Sequence, residues 1–126
     1  MKKHDSLKGD AEEWIKKAEH DMATSEVNLD NNIFDAAAFF AHQAAEKALK
    51  ALYILRYKRL WKVHDLVGLG KRIDVPQNIL KACDALNPHY IETRYPIGID
   101  YEKDAAAEAL GNARKVVKWA KERMKK

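Results

Sequence analysis

Residues 33–57 read IFDAAAFFAHQAAEKALKALYILRY. This segment predicts one long helix with apolar side chains on more than one face. At 100° per residue, Ala37, Phe40, Ala41, Ala44, Ala48, Ala51, Leu52 and Leu55 form one broad stripe. A second seam runs through Phe39, His42, Glu46, Leu49 and Tyr53, at spacings of three and four. A surface helix needs only one such stripe, so this one is expected to be clamped between layers or between subunits. Gln43, Lys47 and Lys50 project along the shoulder between the two faces.

Outward from this helix, the pattern predicts four more. The first spans about 11–29, with Asp10 and Glu13 as a start signal and Trp14, Ala18, Met22, Ser25 and Leu29 inward. Asn31-Asn32 ends it, and Asn32 is expected to cap the long helix, with Asp35 near its positive end. A short loop between two long helices predicts an antiparallel hairpin. After the basic connector Lys58-Arg59-Leu60-Trp61-Lys62, a short helix is expected from about His64 to Lys71. Asp74 and Pro76 announce the next, over about 76–86. Asn87-Pro88 repeats that logic for a further turn through Arg94, which Pro96 stops. The last helix spans about 102–124, with Ala106, Ala109, Leu110, Ala113, Val116, Val117, Ala120 and Met124 inward. The fold class read from these elements is all-α, a five-helix up-and-down bundle with two long antiparallel helices at its N-terminal end. One domain is expected over residues 1–126, ordered over about 8–124.

Composition narrows the function. The charged fraction is 33% and the hydrophobic fraction 47%, a globular balance. The single cysteine, Cys83, excludes an internal disulfide, fits a reducing compartment and reads as a small core residue. No apolar run approaches the ~20 residues of a membrane span, and the first residues lack a signal peptide's apolar core. A cytoplasmic protein without membrane contact is expected. The net charge of +4 owes much to the two ends of the chain, so it defines no DNA-binding face. There is no phosphate-binding glycine loop and no His-x-x-x-His pair. Neither a metal nor another cofactor is expected.

Two polar constellations remain. Gln43 and Lys47 lie one turn apart on one flank, a point charge beside a donor–acceptor amide, as a phosphate and a base edge require. The bland alternative is a wet face carrying a Glu46–Lys50 surface pair. In Thr93-Arg94-Tyr95-Pro96 an arginine sits beside an aromatic residue, where it either clamps an anion or ties a helix end to a carboxylate.

Three ordered segments carry a resemblance: AAAFFAHQAAEKALKA at 36–51, His64-Asp65-Leu66, and Thr93-Arg94-Tyr95-Pro96. Together they resemble the HEPN domain family over about residues 8–124. The resemblance implies a bundle that dimerises through its long helices, which would place Phe39, His42, Glu46, Leu49 and Tyr53 at the subunit seam. It also implies a separately encoded minimal nucleotidyltransferase as partner, in a toxin–antitoxin-like pair; for a nucleotide-binding subunit of that kind, the ligand residues expected here are Gln43, Lys47, His64, Arg94 and Tyr95. Many members are metal-independent endoribonucleases, marked by an arginine and a histidine four to six residues later. This chain departs from that pattern, because no histidine follows Arg94 in the window. An RNA-cleaving toxin would therefore have to use Arg94 with His64 or His89. Pure scaffolding is the third reading.

Overall fold

The computed structural model describes residues 3–59, 64–94 and 100–125. It contains the helices α1 (Lys3–Asp30), α2 (Phe34–Tyr57), α3 (Leu66–Arg72), α4 (Gln77–Leu86) and α6 (Lys103–Met124), with a single turn, α5 (His89–Glu92), before the last. The predicted bundle is present, and its two long helices open the chain.

Helices α1 and α2 run antiparallel along their lengths. Ser25 Oγ donates to the Ala37 carbonyl at 2.7 Å, while Trp14, further back along α1, meets Lys50, further along α2. The seam is built from Ala11, Ile15 and Ala18 against Ala44, Ala48, Ala51 and Ile54, closed by Val117 and Ala120 of α6. Alanines let helix axes approach toward the ~8 Å end of the usual range. The other side of α2 forms a second cluster. There Ala41, Ala45, Leu49 and Tyr53 meet Leu66 and Leu69 of α3, Ile79 and Leu86 of α4, and Val116 of α6.

The two apolar stripes of α2 are thus both covered within one chain. His42 and Leu49 are fully buried, Glu46 is 2% exposed and Tyr53 3%. This differs from the expectation that they line a subunit seam: within the single chain Leu49 and Tyr53 pack on α3 and α4, His42 lies against Tyr90 of α5, and Glu46 is bonded to His64. Of the expected seam only Phe39 stays half-buried. Leu55 is a further correction, since it is exposed while its neighbour Ile54 is buried.

Helix ends differ from expectation in instructive ways. Helix α1 runs straight through Asp10, so Asp10-x-x-Glu13 is not its start. Asn32 takes φ 62° and closes α1 rather than capping α2. Its N–H donates to Leu29 O and that of Ile33 to Asn28 O, the paired bonds of a Schellman ending. Asp65 caps α3, accepting from Val67 N at 3.1 Å. Asn87 does not cap the following turn. It instead clasps the head of α3, accepting from Leu66 N at 2.9 Å and donating to Asp65 Oδ1 at 3.1 Å. That clasp fixes where His64 leaves the connector. On α6 all the expected inward positions are buried except Met124, which is half-buried.

Candidate functional site

The site is organised by Tyr90, on α5. Its ring stacks on His64, with centroids 4.1 Å apart and planes 13° from parallel. The Arg94 guanidinium carbon lies 5.0 Å from the same ring centre, within the range of cation–π attraction. Tyr90 and Arg94 are four residues apart, so the turn of α5 and its continuation carry both on one side. His42 and Phe39 of α2 also lie against the ring, with centroids at 5.5 and 6.4 Å. Two residues that are thirty positions apart in sequence, His64 and Arg94, thereby both lie against one aromatic ring.

Next to His64 lies Glu46. Its Oε1 accepts from His64 Nδ1 at 2.7 Å, and its Oε2 accepts from Lys50 Nζ at 3.2 Å. The carboxylate is buried while the His64 side chain is 40% exposed. With Nδ1 engaged, Nε2 is the ring nitrogen left to a ligand. The expected Glu46–Lys50 surface pair is therefore a buried bridge, with His64 bonded to Glu46 and Trp14 of α1 lying against Lys50.

His42 is fully buried, and Nδ1 donates to Gln43 Oε1 at 3.0 Å. Its Nε2 has no hydrogen-bond partner among the described residues. Burial lowers its pKa below the ordinary histidine value, against the opposing pulls of the Gln43 bond and the Glu46 charge.

The expected ligand set does not assemble as a whole. Lys47 turns toward α1 and is paired with Asp21, which is 5% exposed. It lines a hollow of about 350 Å³ with Asp10, Glu13, Trp14 and Lys17, apart from His64 and Arg94. Gln43 is engaged by His42. Tyr95 lies outside the described residues. His89 is directed to Tyr101, whose hydroxyl is 2.7 Å from Nδ1 and also donates to Glu92 at 3.5 Å. Burial lowers the His89 pKa, and burial with the Glu92 charge raises that of Tyr101 to about 12. Of the three basic residues named for RNA cleavage, His64 and Arg94 converge on Tyr90 and His89 faces another partner.

Sequence reasoning missed Tyr90. The signal is its spacing of four from Arg94, masked by the nearer aromatic, Tyr95, in TRYP. Among the described residues no group of histidine, cysteine, aspartate or glutamate is arranged to hold a metal ion. No helix among them is long and apolar enough to cross a membrane.

This fold and its three ordered segments define a HEPN domain, and the chain belongs to the HEPN family: the family's sequence model matches residues 11–124. Among curated proteins it is similar to "Putative toxin MJ1304" of Methanocaldococcus jannaschii, with 25% identity, 89% of this chain and 86% of that protein aligned. Among solved structures it is similar to TT1696 from Thermus thermophilus, with 31% identity and a TM-score of 0.81, covering 89% of this chain and 96% of that one. It is also similar to ST0689, described as an archaeal HEPN homologue, with 26% identity and a TM-score of 0.77. That match covers 90% of this chain and 97% of the other.

Proposed function

We propose that this HEPN protein binds the phosphate of a nucleotide or RNA strand on the face formed by His64, Tyr90 and Arg94. In this reading it works as the HEPN subunit of a toxin–antitoxin-like pair, beside a separately encoded minimal nucleotidyltransferase. The observation that carries the reading is the convergence of Arg94 and His64 on one ring. A guanidinium offers a fork of donors that matches a phosphate, and Nε2 of His64 adds a second polar contact. Lys47 and Gln43 leave the ligand set, because Asp21 and His42 already engage them. A homodimer belongs to the same reading. Its surface would be the apolar rim beside the site, where Ile91 is 57% exposed and Phe39 half-buried.

RNA cleavage without a metal is the second reading, favoured by the Glu46–His64 bond of 2.7 Å. A carboxylate on Nδ1 orients the imidazole, as a general acid–base requires. Arg94 would stabilise charge developing on the phosphate. The relative named as a toxin supports this direction.

Thermal unfolding with AMP, ATP, GTP and a short oligoribonucleotide tests the first reading, because a ligand bound to the folded state raises the melting temperature by mass action. A rise lost in Arg94→Ala supports it, and no rise at millimolar ligand overturns it. Incubation of labelled RNA with EDTA present tests the second. Cleavage lost in His64→Ala supports it, and intact RNA with the wild type removes it.

A further inference from the structure

Where α2 and α6 finish, Leu52, Leu55 and Arg56 of α2, Ile73 at the end of α3, and Trp119 and Arg123 of α6 line a hollow of about 380 Å³. Four of the six side chains are apolar or aromatic, and Leu55 is 36% exposed. The other two are arginines. The Arg123 guanidinium carbon lies 5.5 Å from the centre of the Trp119 ring and has no ion-pair partner among the described residues. Arg56 reaches Asp74 at 3.5 Å, and that carboxylate is 87% exposed, so the pair is weak. No carboxylate stands among the described lining residues. Both arginines occupy the last turns of their helices, where positive charge complements the dipole. That role asks only for a cation at each end, and it leaves the open apolar surface beside them unexplained.

Size and charge select the occupant. The volume falls in the range of small-molecule sites, roughly 300–1,000 Å³. Six residues are too few for a stable protein interface, which engages about 20–30 a side. Two weakly opposed guanidinium groups select negative charge, and each offers a fork of donors that matches a carboxylate. We propose that this hollow binds a small organic anion with an apolar body, of the class of aliphatic and aromatic carboxylates. The body lies against Leu52, Leu55, Ile73 and Trp119, and the carboxylate accepts from Arg56 and Arg123. Leu55 stands nine residues beyond Glu46 on α2, about 13.5 Å of helix rise. The hollow shares no lining residue with the face of His64, Tyr90 and Arg94, and stands whether or not that face binds phosphate.

The test follows the indole N–H signals of the three tryptophans by NMR as sodium octanoate is added to the full chain. Octylammonium supplies the same body with the opposite charge, and acetate the charge without the body. The signal missing from a Trp119→Phe spectrum belongs to Trp119. It should shift saturably with millimolar octanoate and with neither control. Replacing both arginines, Arg56→Gln with Arg123→Gln, should weaken octanoate binding about tenfold, as the loss of charge-assisted hydrogen bonds implies. Both positions are exposed, and the single variants stand in if the double one does not fold. Leu55→Gln should weaken binding through the apolar body alone. The proposal is overturned by no saturable shift, by an equal response to octylammonium, or by unchanged affinity without the arginines. A Trp119 signal that moves on dilution of the ligand-free protein would show a second copy covering the hollow, which also overturns it. So does a glutamate-rich amphipathic peptide that moves this signal where octanoate does not, since the surface then belongs to a protein partner.

Discussion

The Lys47 ammonium is paired with the Asp21 carboxylate across the seam between α1 and α2. Asp21 is 5% exposed and stands on the inward face of α1, so removing its cation leaves a nearly buried charge uncompensated. Breaking a fully buried pair costs roughly 3–5 kcal/mol, and the partial exposure of Lys47 reduces that. Lys47→Ala should destabilise the fold by about 2 kcal/mol and Lys47→Glu by more, read by urea unfolding. An unchanged midpoint in both would mean that the pair contributes nothing to stability and would return Lys47 to the list of residues available to a ligand.

Tyr90 should behave as a platform rather than as an acid. Tyr90→Phe keeps the ring beneath His64 and Arg94, and nucleotide or RNA affinity should stay within about twofold of wild type. Tyr90→Ala removes it and should weaken binding at least tenfold, equivalent to ~1.4 kcal/mol. Equal losses in the two variants would show that the hydroxyl, not the ring, matters.

Stability should fall on the acid side beginning near pH 6.5. Burial depresses the folded-state pKa of both His42 and His89. Between the folded value and the unfolded 6.5, the unfolded chain binds more protons, so stability rises with pH in that window and is lost as pH falls through it. Melting temperatures measured from pH 7.5 down to 5 should show this slope, and a double His42→Gln, His89→Gln variant should flatten it. A slope of the same size in the double variant would place the acid sensitivity elsewhere.

Cys83 is fully buried, and burial pushes its thiol up to about 12. A thiolate is the reactive form, so the native protein should not react with a disulfide reagent at pH 8 over minutes, whereas the unfolded chain should react at once. Fast labelling of the folded protein would require an opening of the α3–α4 layer.

Leu49 sits at the centre of the larger core cluster with no exposed surface. Leu49→Ala should cost about 2–5 kcal/mol, measured by denaturant unfolding. A cost below 1 kcal/mol would be expected only if Leu49 faced solvent in the isolated chain, as an unfilled subunit seam would require.

Much of the architecture was legible from periodicity alone. The two stripes on α2 and the inward face of α6 follow from side-chain spacing, because burial of an amphipathic face is a property of each helix by itself. What covers a second stripe is not such a property. The same His42–Glu46–Leu49–Tyr53 pattern fits a partner subunit or an inner layer equally well, and it is the docking of α3 and α4 that covers Leu49 and Tyr53 within the chain. Asn87 shows the same limit at short range. Its position before Pro88 satisfies the rule for a cap, yet its side chain satisfies the head of α3 instead, a contact made across twenty-one residues.

The helices, the family and the residue types of the site follow from local pattern and ordered motifs along the chain. Which polar residues pair with one another depends on how the helices pack. Lys47 and Gln43 share a flank of α2, but a helix flank is two-sided once layers pack on it. Asp21 draws the lysine toward α1, His42 takes the amide, and the carboxylate of Glu46 is left to reach His64 beside the Tyr90 ring. Partner choice among charged side chains follows from distance and burial, and neither is written in the spacing of residues along a chain.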